Sequence, residues 1–174
     1  MATDYCWMPP AHVLGFPKGV FRVYVPIGRH EEGWSFIFRG YDLERGLRTL
    51  LEPLGGLTVW IAHENELRLR SWADWKVALG RGGTIHGEWM KEIPLAAFCD
   101  LVEGEAAPGA VHTPSGLPVR NRYDEMIATA PDESARSAVG NTCWKDEFGY
   151  GFSATLYSCR DLFFDADAYA RLAV

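Results

Sequence analysis

Apolar and polar residues alternate with a period of two in several short runs of the chain, and such alternation predicts strands. In "VFRVYVPI" Phe21, Val23 and Val25 oppose Arg22 and Tyr24, and in "WSFIFRG" Trp34, Phe36 and Phe38 oppose Ser35 and Ile37. Only "GRHEEG" separates the two runs, so they read as a hairpin. Four further runs, "LTVWIA", "ELRLRSW", "DWKVAL" and "TIHGEWM", are joined by "HEN", "AD" and "GRGG", connections short enough to predict an antiparallel meander. Arg68 and Arg70 mark a solvated face on the second of these runs, while Trp75, Val77 and Leu79 share an apolar face on the third. "GYGFSATLYS" reads as one more strand.

The helical period marks fewer segments. Asp42 can cap a helix whose apolar positions are Leu43, Leu47, Leu50, Leu51 and Leu54, ended by Pro53 and the Gly55-Gly56 pair. Pro94 suits the first turn of "PLAAFCDLVEG", where Leu95, Phe98, Cys99 and Val102 form a stripe and Gly104 closes the end. Thr129, Pro131 and Asp132 signal the start of a short helix through Val139, and Asp165 that of a C-terminal helix over "DADAYARLAV". Residues 1–19, with Pro9, Pro10 and Pro17, read as an irregular lead-in, and residues 105–122 as a long surface loop. The pattern is one α+β domain over residues 1–174. Its expected architecture is a mainly antiparallel sheet of about six or seven strands with three or four helices packed on one face.

Composition narrows the setting. Seventeen Lys and Arg against 23 Asp and Glu give a formal charge of -6, spread along the chain, which disfavours nucleic acid and suits a basic protein partner. Cys6, Cys99, Cys143 and Cys159 form no CxxC pair and no zinc spacing, so the expectation is reduced thiols, no metal, and a cytoplasmic location. Neither a signal peptide nor a membrane span is indicated, and the oligomeric state is left open.

Candidate chemistry centres on "GNTCWKDEFGYGF". Its Cys143-Trp144 dipeptide resembles that of papain-like proteases, where a thiolate pairs with a His that follows it in the chain. Here all five histidines, His12, His30, His63, His86 and His112, precede Cys143. A thiol enzyme would need the fold to bring His86 or His112 to Cys143. The simpler reading is a turn leading into a core strand, with Trp144, Phe148 and Phe152 packing. "GRGGTIHG" lacks the helix that a phosphate loop opens, so it reads as a hairpin turn. His30 with Glu31 and Glu32, His63 with Glu64 and Glu66, and His86 with Glu88 are pairings without a second ligand set.

The remaining assets are contact residues. Arg120, Arg122 and Tyr123 in the 105–122 region and its flank are types that anchor protein interfaces, and Trp60, Trp72 and Trp75 are expected to leave an exposed aromatic patch. These features, without a catalytic motif, point to a cofactor-free binding protein rather than an enzyme. Its expected role is to recognise and neutralise another protein, as an immunity- or antitoxin-like inhibitor or an anti-defence protein. The rival readings are a small hydrolase or transferase using Cys143 with His86 or His112, and a small-molecule module that stacks its ligand on Trp60, Trp72 or Trp75.

Overall fold

A strand occupies Ala2–Met8, inside the segment that the prolines mark as irregular, and it becomes an interior strand of the main sheet. Its own alternation explains this: Tyr5 and Trp7 enter the hydrophobic core while Cys6 lies between them. The computed structural model describes residues 2–9, 21–23, 25–40, 69–154 and 162–164. The predicted helix over residues 42–54, the strand "LTVWIA" with Trp60, and the C-terminal helix lie outside the described residues.

In chain order the strands are β1 (Ala2–Met8), β2 (Phe21–Val23), β3 (Val25–Glu31), β4 (Ile37–Arg39), β5 (Thr84–His86) and β6 (Glu92–Ile93). They continue with β7 (Val111–His112), β8 (Leu117–Pro118), β9 (Cys143–Lys145), β10 (Gly151–Ser153) and β11 (Leu162–Phe164). The main sheet has seven strands in the order β6-β5-β1-β3-β4-β10-β9, antiparallel except where β4 and β10 run parallel. β2 pairs with β11, and β7 with β8, as two-stranded ribbons. The predicted hairpin of β3 and β4 forms, with Gly28 opposite Phe38. A bulge shifts the β1–β3 register, since Tyr5 faces Gly28 but Cys6 faces Pro26. Gly28 is required there, because any side chain would run into the Ile37 carbonyl and the Phe36 ring.

The α-helices among the described residues are α1 (Trp72–Gly80), α2 (Leu95–Glu103), α3 (Arg122–Thr129) and α4 (Glu133–Thr142). Helix α1 replaces the third predicted strand of the meander. Its Trp72, Trp75, Ala78 and Leu79 are buried at helical spacing, and Val77, grouped with Trp75 by the strand reading, is exposed. The Ser71 side chain caps α1 by accepting from the Asp74 N–H at 3.1 Å, a Ser-x-x-Asp signal that the alternation masked. "GRGG" therefore joins a helix to a strand, and β5 pairs with the distant β1 on one side and with β6 on the other. Helix α2 matches its predicted stripe at Phe98 and Val102, which are buried, and at Cys99, partly buried, whereas Leu95 at its first position is 39% exposed. Asp132 caps α4 as predicted, though α4 runs past Gly140 to Thr142. Helix α3, capped by the Asn121 side chain, is unheralded in the sequence pattern. The 105–122 segment is partly ordered into the β7–β8 hairpin rather than being loop throughout.

Aromatic rings carry the core. Phe38 stacks on Phe152 at 5.0 Å and on Trp72 at 5.3 Å, Phe152 stacks on Trp144 at 5.6 Å, and Phe98 meets Phe36 edge-on at 5.6 Å. Residues that alternate with these core positions, including Pro26, Ile37, Arg39 and Ser153, are buried too. At its centre the sheet is thus buried on both sides, where the sequence predicts one solvated face.

"GNTCWKDEFGYGF" resolves into the end of α4, the strand β9, a turn, and the start of β10. Trp144 and Phe152 pack as expected, whereas Phe148 is 53% exposed. Asp146 organises the turn. Its Oδ1 accepts from the Phe148 and Tyr150 N–H groups at 3.0 and 2.9 Å, and its Oδ2 accepts from the Trp72 N–H at 2.8 Å, tying the turn to the start of α1. Burial raises the Asp146 pKa even against these three donors. Cys99 and Cys143 are free thiols, but Cys6 is disulfide-bonded, so the expectation of uniformly reduced cysteines fails for it. Among the described residues no helix is long and apolar enough to cross a membrane.

Two outcomes follow from this packing. Asp146→Ala, which leaves three backbone N–H groups without their acceptor, should cost about 2 kcal/mol in urea denaturation. Glu103 accepts from Lys76 Nζ at 2.7 Å and from Trp72 Nε1 at 2.9 Å, and these bonds, Lys76 first, hold its carboxyl below the ordinary range. A depressed carboxyl pKa stabilises the fold above the unfolded value of about 4.3 and stops doing so as pH falls through the folded value. Glu103→Gln should therefore melt below the wild type at pH 7, with the gap in Tm closing as the pH is lowered below about 4.

Candidate functional site at the Trp89 turn

Five of the six described tryptophans are held by the fold. Trp7 Nε1 donates to the Gly82 carbonyl at 2.9 Å, Trp72 to Glu103 at 2.9 Å, Trp75 to the Arg39 carbonyl at 3.0 Å, and Trp144 to the Arg70 carbonyl at 2.8 Å. Trp34 lies under two cations, with the guanidinium carbons of Arg120 and Arg122 at 3.8 and 3.7 Å from its ring centroid. The sixth, Trp89, is 92% exposed.

Trp89 sits in a single 3₁₀ turn, Glu88–Met90, between β5 and the edge strand β6. Trp89 and Met90 both have left-handed backbones, each with φ 57°. For residues that carry a side chain this conformation costs about 1–2 kcal/mol each. Hydrogen bonds hold it in place: Gly87 N–H to the Lys91 carbonyl at 2.9 Å, Met90 N–H to the Gly87 carbonyl at 3.1 Å, and Lys91 N–H to the Glu88 carbonyl at 3.1 Å. His86 adds a side-chain latch, with Nδ1 at 3.1 Å from the Met90 carbonyl and Nε2 at 2.8 Å from Thr84 Oγ1. A carbonyl only accepts, so Nδ1 carries the proton, and in the neutral ring Nε2 then accepts from the threonine hydroxyl. His86 is thus a positioning residue for the turn.

The pairing of His86 with Cys143 does not occur. β5 and β9 are five strand spacings apart in the sheet, about 24 Å at the usual spacing of about 4.8 Å. Cys143 is buried, with Thr142 Oγ1 at 3.7 Å from its sulfur. His112 lies in a different place, a cleft of about 300 Å³ that it lines with His30, Glu32 and Glu105. His86 ends β5 while Glu88 opens the 3₁₀ turn, so they do not share a strand face. Among the described residues no group of three or more His, Cys, Asp or Glu is arranged to hold a metal ion.

The residues expected to touch a partner are mostly turned inward. Trp72 and Trp75 are 3% and 0% exposed, since the side of α1 that carries them is the side that docks on the sheet. Trp72 contributes only to the floor of a shallow groove of about 480 Å³ rimmed by Phe148, Pro108 and the Lys76–Glu103 pair. Arg122 is ion-paired with Glu31 and Arg120 lies 4.0 Å from Glu125, so with Trp34 they clamp the segment before α3 to the β3–β4 turn. Tyr123 is half-buried near Gly151. Trp89 was missed, although "GEWMKE" carries a signal: the glycine interrupts the alternation, and Trp and Met stand between charged residues.

Trp89→Gly removes the left-handed strain but adds the conformational entropy of a glycine, so it should stabilise the protein by about 0.5 kcal/mol in urea denaturation. A loss of stability instead would mean that the Trp89 ring is part of the packing.

Compared with protein-family models, curated proteins and solved structures, the chain matches none.

Proposed function

We propose that the protein acts by binding another protein, with Trp89 as the anchor of the interface. One observation carries the reading: a tryptophan 92% exposed on a turn in which two successive residues with side chains are left-handed. Tryptophan is enriched among the few residues that dominate binding energy, and it gains most when a partner's pocket desolvates it. Strained backbone concentrates where function needs a fixed presentation. The three backbone bonds and the His86 latch fix that presentation before binding, which lowers the ordering cost of association. Met90, 41% exposed, adds an adaptable apolar neighbour, and Glu88, Lys91 and Glu92 supply a charged rim. Neutralisation of a target, in the manner of an immunity- or antitoxin-like inhibitor or an anti-defence protein, requires nothing more of this chain than such a contact.

Photo-crosslinking tests it. A benzophenone amino acid replaces Lys91 beside the anchor or, as a control, Val77 on the exposed side of α1. In the cells that make the protein, position 91 should give one discrete adduct, position 77 none, and adding Trp89→Ala should abolish the adduct. Equal adducts at both positions, or survival of the adduct without Trp89, would overturn the proposal.

A further inference from the structure

The Trp89 turn reaches the main sheet by way of one half of β1. Three ladder pairs join that half to β5, Cys6 with His86, Trp7 with Ile85 and Met8 with Thr84, and the turn and β6 follow β5. On its other side the same half of β1 meets β3 at Cys6 opposite Pro26 and Trp7 opposite Val25. The bulge between Tyr5 and Cys6 shifts the register there, and Pro26 has no N–H to give to a ladder. The frame of the sheet is thus interrupted at Cys6, the residue opposite the histidine that latches the turn.

A covalent bond stands at that interruption. Cys6 is disulfide-bonded and 5% exposed, while Cys99 and Cys143 are free. The chain has four cysteines, which leaves Cys159, outside the described residues, to pair with Cys6. A bond between the two closes a loop of about 150 residues, and the constraint on the unfolded chain grows with loop length. Tyr5 and Trp7 turn into the core, so the Cys6 side chain lies on the other face of β1. Directly opposed residues share a face, with Cβ atoms about 4.5–5.5 Å apart, which puts Cys6 beside His86.

We infer that a Cys6–Cys159 disulfide is a reducible staple that holds the Trp89 turn in its presenting form, and this rests on the protein-binding reading given above. In the oxidised protein the staple fixes β1 where its ladder is interrupted, so β5, the His86 latch and the turn keep one position. Two molecules of a small thiol reduce it through a mixed disulfide. The first thiolate displaces one cysteine sulfur, the second displaces the other, and the two thiols leave as their own disulfide. The two cysteines take up the two electrons and two protons. With the staple open, the β1–β5 pairs open more often and the strained turn relaxes, so partner binding is stronger in the oxidised protein.

The test compares the whole chain equilibrated with oxidised and with reduced glutathione. After free thiols are blocked and the oxidised protein is digested without reductant, mass spectrometry should find Cys6 joined to Cys159, with Cys99 and Cys143 blocked. Hydrogen exchange of the Gly87, Met90 and Lys91 amides, whose bonds hold the turn, should quicken at least tenfold on reduction. Cys159→Ser should exchange as the reduced protein does in either form of glutathione, and Cys99→Ser should behave as the wild type. Linkage of Cys6 to another cysteine, a fully blocked oxidised protein, or turn amides that exchange equally in both states would overturn the inference. An equal quickening throughout the sheet would overturn it too, by marking a general staple rather than one that acts on the turn. Failure of the Trp89 reading shows separately, as redox-dependent exchange at the turn with crosslinking from position 91 indifferent to Trp89.

Discussion

The burial of two indoles on one short helix is the constraint around which the molecule is arranged. Trp72 and Trp75 of α1 must lose water across large rings and still satisfy an N–H each. The fold meets both demands, with Phe38 stacked on Trp72, the Arg39 carbonyl accepting from Trp75, and Glu103 of α2 accepting from Trp72. Because these partners come from β4 and α2, docking α1 fixes the relative positions of those two elements. Asp146 extends the same logic to the β9–β10 turn by receiving the first N–H of α1. Truncation of a ring as large as either indole costs about 3–5 kcal/mol, a large share of the stability of a domain this size.

A scaffold so closed inward makes Trp89, the outward one among the described tryptophans, conspicuous. The sheet ends in the two-residue strand β6, and the turn before it places Trp89 away from the core while His86 and three backbone bonds keep that turn from relaxing. The energy that makes this arrangement tolerable comes from elsewhere in the fold, through β5 pairing with β1 and the packing of Ile85. The strands therefore determine where Trp89 points, and the strained turn determines how far it protrudes. His86, one of the two histidines that sequence pattern nominates for thiol chemistry, serves that geometry, and the thiol itself sits buried at the opposite edge of the sheet.

Charge is distributed with a similar division of labour. Arg120, just before α3, and Arg122, its first residue, are spent on Trp34 and on Glu125 and Glu31, where they hold the start of α3 against the β3–β4 turn. Glu32 and Glu105 line a cleft with His30 and His112 into which no Lys or Arg is turned.

Local pattern by itself determined the α+β class, the β3–β4 hairpin, the stripe of α2 and the Asp132 cap of α4, because each of these depends on residues a few positions apart. It failed over "DWKVAL", where Trp75, Val77 and Leu79 satisfy a strand period as well as Trp72, Trp75 and Leu79 satisfy a helical one. The Ser71 cap and the need to bury both indoles decided for the helix. It failed also at β1, whose neighbouring prolines hid an alternation that gains its meaning only from pairing with β3 and β5. Which tryptophan stays outside, which histidine meets a carbonyl and which carboxylates share a cleft are long-range matters. Only the tertiary structure decided them, because burial and charge pairing depend on residues that the fold brings together from distant parts of the chain.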